Sequence, residues 1–162
     1  MIDQLKIHLR YNEWASRRLL EAVAQLTPEE QTRDFKTADS SVVGTLAHVF
    51  AADRIWLSRV RGAARTTFIS PEDRSLELLQ RDWPAVHSGW HEVIAAETSD
   101  SVLRKIAFRA LDGTPYQQPL WQIVLHLVNH GSHHRGQVSG FLRAMGHPPP
   151  QLDLITYYRS LG

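Results

Sequence analysis

Residues 120–145, LWQIVLHLVNHGSHHRGQVSGFLRAM, contain no proline and carry apolar side chains at intervals of three and four. That spacing predicts one long amphipathic helix. At roughly 100° per residue, Ile123, Leu127, His130, His134, Val138, Phe141 and Met145 share one narrow sector of it. Two imidazoles therefore stand in line with the core. His130 and His134 sit about 40° apart in azimuth and about 6 Å apart along the axis, close enough to share one cation. Neutral imidazole suits Zn, Ni, Cu or Fe and binds Mg or Ca poorly. The alternative is a pair of histidines packed at a helix interface, and on an apolar stripe the pair needs partners either way. Gly131 stands where the H-E-x-x-H motif of zinc proteases carries its glutamate. The general base of that class is missing. His126 and His133 fall at the edge of the sector, as groups supporting the pair or partly solvated.

A length of 162 residues suits a single domain, 1–162, with a real core. Lys plus Arg total 18 against 17 for Asp plus Glu. With no basic block, nothing points to nucleic acid or an anionic membrane. No signal-peptide pattern opens the chain and no apolar run approaches the width of a bilayer, so the expectation is a cytoplasmic protein. The absence of cysteine excludes disulfides, thiolate ligands and a nucleophilic thiol of the protein's own.

Taken in order, residues 2–26 read as a helix closed by Thr27 and Pro28, its inner stripe running Leu5, Leu9, Asn12, Ser16, Leu19, Val23 and Leu26. Asn12, with His8 one turn earlier, either faces the same cavity as His130 and His134 or bonds across a helix bundle. Ile7, Tyr11 and Trp14 lie off the stripe and need a second cover, from a dimer contact or the C-terminal tail. A loop over 29–39 leads to Ser40 or Ser41 as cap of a helix that runs to about Arg61. On that helix Val42, Leu46, Val49, Phe50, Leu57 and Val60 form the apolar face, and Asp53 falls on it, where a carboxylate wants an arginine or a ring N–H. His48 lies opposite with Ala52 and Ile55, as a surface residue or one on a helix buried on both sides. After a loop over 63–71, a third helix begins near Glu72, with Pro84 expected to kink or split it. His87 and His91 on it form a weaker pair on a polar flank. Asp112-Gly113 between alternating runs predicts a small hairpin. Residues 151–161 follow as a short terminal helix docked through Leu152, Ile155 and Tyr158.

These elements make an all-α four-helix bundle with a small β-hairpin before the last long helix and a short C-terminal helix. No Glu-x-x-His occurs, which disfavours a di-iron bundle and favours a mononuclear histidine site. The segments YNEWASRRLL, GTLAHVFAADRIWLSRVRG and HLVNHGSHHRGQVSGFLRAMGHPPPQLDLITYY resemble the DinB/YfiT-like family over nearly the whole chain, the NH-x-x-HHRGQ core most specifically. The resemblance implies a bundle of left-handed connectivity holding one divalent metal ion, Ni or Zn, on three histidines, which here match His48, His130 and His134. Asp53 and His133 then become acid–base candidates, with His8, Asn12 and His126 lining or supporting the cavity. Arg135 and Gly136 follow the ligands, in an ion pair and a close helix approach.

Three neutral imidazoles leave a position open on the metal, the layout of a catalytic site. Some relatives activate a low-molecular-weight thiol, and the resemblance implies such a metal-dependent S-transferase or isomerase. A cysteine-free chain fits, because the thiol arrives with the cosubstrate. A metal-dependent hydrolase with Asp53 or a free histidine as base is the second enzymatic reading. The non-enzymatic reading is a stress-response binding protein that forms a homodimer through outward-facing Trp14, Val124, Val128 and Leu142, with Gly131 allowing close helix approach.

Overall fold

The computed structural model describes residues 1–63 and 67–162. Residues 64–66, within the loop expected over 63–71, lie outside the described residues. Four long helices carry the fold: α1 (Ile2–Val23), α3 (Val42–Val60), α4 (Leu76–Ala95) and α5 (Leu120–Ala144). α1 packs between α4 and α5, and α3 packs between the same two from the other side. α1 and α3 thus face each other diagonally across the core.

Local chemistry explains most boundaries. Ser41, rather than Ser40, caps α3, its side chain accepting from Gly44 N. Ser40 adopts φ 63°, a left-handed value that costs a non-glycine residue energy and turns the chain into that cap. A Cβ at position 44 would collide with the Asp39 carbonyl, so only glycine lets the 39–41 turn close over the first turn of α3. The expected loop over 29–39 begins inside a short helix, α2 (Pro28–Thr32), built on a capping box between Thr27 and Glu30. Ser75 caps α4, so that helix begins at Leu76, and the residues near Glu72 form a separate 3-10 turn, Pro71–Asp73. Pro84 neither splits α4 nor ends it. Trp83 and Trp90 beside it are buried and donate their indole N–H groups to Asp53 Oδ2 and to the Asp53 carbonyl at 3.0 Å, which ties this stretch to α3.

β1 (Lys105–Arg109) and β2 (Pro115–Pro119) form the expected antiparallel hairpin, with Phe108 opposite Tyr116. It packs beside α3 and α5. The terminal helix α6 (Leu154–Arg159) covers Tyr11 and Trp14, whose rings pack at a tilt against Tyr157 at centroid distances of 5.8 and 5.4 Å. Of the residues expected to dock the tail, Leu152 does so, whereas Ile155 and Tyr158 are exposed and Tyr157 takes their place. The proposed dimer face also fails at three of its residues, since Val124, Val128 and Leu142 are buried within the chain and only Trp14 remains part-exposed. Among the described residues, no helix is long and apolar enough to cross a membrane.

Candidate metal centre

α3 and α5 bring three imidazoles together. His48, His130 and His134 each offer a ring nitrogen, and these atoms lie within 4.8 Å of one another. His48 Nε2 and His130 Nε2 are 3.1 Å apart. Two nitrogens held at 2.0–2.1 Å by one tetrahedral ion stand about 3.3 Å apart, so the spacing fits a shared cation. His134 Nδ1 meets Gln137 Oε1 at 2.7 Å, and His48 Nδ1 lies 3.5 Å from Asp39 Oδ1. Oxygen partners there favour the Nδ1–H tautomer and leave each Nε2 lone pair for the centre. Burial, reinforced by the neighbouring imidazoles, pushes His130 down to about 3, and burial also lowers His48. Both are neutral at pH 7, the form that a metal accepts.

His48 and His130 line a cavity of about 880 Å³ between α3, α5 and the hairpin, with the His134 ring 4.5 Å from each of theirs. Its wall on α3 comprises His48, Ala52, Ile55, Trp56 and Arg59, a set spaced for one helix face. Phe68 packs edge-on to His48 at 5.3 Å, and the Arg54–Asp73 ion pair, with an Arg54 Nη2 bond to the Phe68 carbonyl, braces that segment. On α5, His126 packs against Trp56 and against His130, each at 5.6 Å.

A sequence model of the DinB family matches residues 1–160. The chain belongs to the DinB family. Protein DinB of Bacillus subtilis (strain 168) is 18% identical over 153 residues, covering 91% of this chain and 89% of that protein. The crystal structure of a DinB-like protein from Bacillus cereus ATCC 10987 superposes with a TM-score of 0.65 at 18% identity, over 89% of this chain and 94% of that one. The helical architecture with its hairpin is thus a DinB-like fold.

Within this DinB-family fold, several residues expected near the triad lie elsewhere. Asp53 is sealed in the core, where it accepts from Trp83 Nε1 at 3.0 Å and from Asn12 Nδ2 at 3.4 Å. Five residues beyond His48, it points about 140° away around α3 and does not line the cavity. Asn12 bonds across the bundle instead of lining the triad, joining Asp53 to Arg135, whose Nη1 donates to Asn12 Oδ1 at 2.7 Å. His8 faces the tail, with Nδ1 at 2.7 Å from the Gln4 carbonyl and Nε2 at 3.3 Å from the Tyr158 hydroxyl. His133 is exposed, edge-on to His134 at 4.9 Å. His87 stacks on Trp83 while His91 meets Glu13 at 2.6 Å, so that pair points to two different partners. The residue sealing α5 to α1 is Gly131, where a Cβ would meet Arg135 Nη1 and Asn12 Oδ1 at 2.6 and 2.7 Å; Gly136, expected to serve that purpose, borders open space.

Sequence reasoning missed Asp39, Gln137, Trp56 and Phe68. Gln137, three residues after His134, was within reach of helical spacing. Asp39 and Phe68 arrive on irregular segments, which no periodicity reports.

Proposed function

We propose that this protein is a metal-dependent enzyme in which His48, His130 and His134 hold one divalent Ni or Zn ion, and that it transfers a low-molecular-weight thiol onto an electrophile. The observation that carries this reading is the convergence of three imidazoles, two of which, His48 and His130, line an open cavity of about 880 Å³. Bound there, the ion supplies the acidity that turns a thiol into a nucleophile at neutral pH.

The chain's own residues do the rest. Asp39 and Gln137 hold two rings in the orientation that presents Nε2. His126, lowered by burial and so neutral at pH 7, stands where it can accept the thiol proton. As the sulfur–carbon bond forms, that proton returns to the leaving group or to the adduct. Trp56, Phe68 and Phe108 line the cavity and limit water beside the reacting atoms.

Mass spectrometry of tag-free protein, parent and His130→Ala, tests the site. About one Ni or Zn per parent chain is expected, lost in the variant, with a higher melting temperature for the loaded parent. Thiol-dependent consumption of an electrophile by the parent, absent from His130→Ala, supports the transfer. A parent that takes up neither metal and shows no shift in melting temperature overturns the reading.

A further inference from the structure

The cavity has a second polar feature that the metal reading does not use. Arg59 lies eleven residues beyond His48 on α3, about 20° around the helix and about 16 Å along its axis, so the two line one wall at separated positions. Its guanidinium lies against two rings that pack edge-on to each other, 4.6 Å from the Trp56 centroid and 4.9 Å from that of Phe108, and Nη2 donates to the Arg109 carbonyl at 3.1 Å. Among the described residues it has no carboxylate partner, unlike Arg54, Arg61, Arg81 and Arg104, which are all paired. Asp112, the one acidic residue of the cavity wall among the described residues, has its carboxylate turned into the hairpin, where Oδ1 accepts from Thr114 N at 2.9 Å.

We infer that Arg59 is an anion subsite, and that the cavity takes an elongated carboxylic acid whose apolar or aromatic body lies along Trp56, Phe108 and Tyr116 while its reacting end reaches the triad. The placement of the reacting end rests on the metal reading above; the anion subsite does not. A guanidinium fixed by stacking presents its remaining N–H groups as a preset fork, which a carboxylate matches and a neutral group does not. Burial lowers Arg59, so part of its hydration is already stripped and an anion restores what the protein withholds. The apolar side chains between Arg59 and His48, Ala52 and Ile55, offer nothing to a polar spacer.

Calorimetric titration with 6-phenylhexanoate and 6-phenylhexan-1-ol, which share a body and differ in the anion, reads this directly. The parent is expected to bind the acid at least about tenfold more tightly. Arg59→Gln should bring the two ligands within about twofold, with the alcohol's affinity unchanged, and Arg59→Lys should keep part of the preference. The same titrations on chelated protein separate this subsite from the metal. A preference that survives chelation and disappears in Arg59→Gln supports the inference whether or not the metal reading stands. Equal binding of acid and alcohol by the parent overturns it, as does a preference that disappears only on chelation or binding of neither ligand at millimolar concentration.

Discussion

Asp53 shows how one side chain is read by its surroundings. Burial raises its carboxyl to about 7 against the pull of the Trp83 and Asn12 hydrogen bonds and the Arg135 charge. In the unfolded chain it titrates near 4, so between pH 4 and 7 the folded state binds the proton more tightly. The stability this contributes is full below pH 4 and is lost as pH rises through 7. Asp53→Asn lacks that slope. Urea unfolding at pH 4.5 and 7.5 should therefore show the parent's stability falling relative to the variant by roughly 2–4 kcal/mol over the interval; parallel behaviour of the two would show Asp53 ionised throughout by Arg135. His130 and His134 were legible in the sequence because one helix sets their spacing. His48 was not, since Ala52 and Ile55 on its face are buried as fully as Leu46 and Phe50 opposite, and a helix covered on both sides gives periodicity nothing to report.

At the scale of the helix, two glycines of α5 separate packing from propensity. Gly131 lies where Arg135, pinned by Asn12 and Ser16, leaves no room for a methyl group. Gly131→Ala is expected to cost about 1–3 kcal/mol in chemical denaturation. Gly136 is exposed with open space above it, so Gly136→Ala should stabilise by about 0.5–1 kcal/mol through helix propensity. Opposite signs from two substitutions five residues apart would confirm that α1 approaches α5 at the first and not at the second. The start of α3 was readable from its serine cap, which acts locally, whereas the start of α4 was placed near Glu72 because the Pro71–Asp73 3-10 turn runs directly into the Ser75 cap. Of the two outcomes expected at Pro84, the split does not occur, because its cost is local while the burial of Trp83 and Trp90 that offsets it is tertiary.

For the molecule as a whole, the C-terminal tail closes what four helices leave open. Tyr157 is buried against Tyr11 and Trp14, and the Tyr11 hydroxyl donates to the Leu152 carbonyl at 2.8 Å. Tyr157→Ala should cost about 3 kcal/mol, read as a lower melting temperature, whereas Tyr158→Ala, on an exposed neighbour, should cost well under 1 kcal/mol. By itself the sequence determined four amphipathic helices, a hairpin, a histidine pair on one stripe and a need to cover Tyr11 and Trp14. Each is a matter of spacing along one element, which the backbone period sets before any packing. Only the tertiary structure decided which turn of the tail supplies that cover and that Asp53 serves a buried network with Asn12 and Arg135. Likewise only packing set a cavity against the face of α3 that His48 and Arg59 share and brought Asp39 beside His48. Those outcomes depend on how helices are rotated and set against one another, and a rotation of one residue's worth, about 100°, would have exchanged core for solvent at each of them.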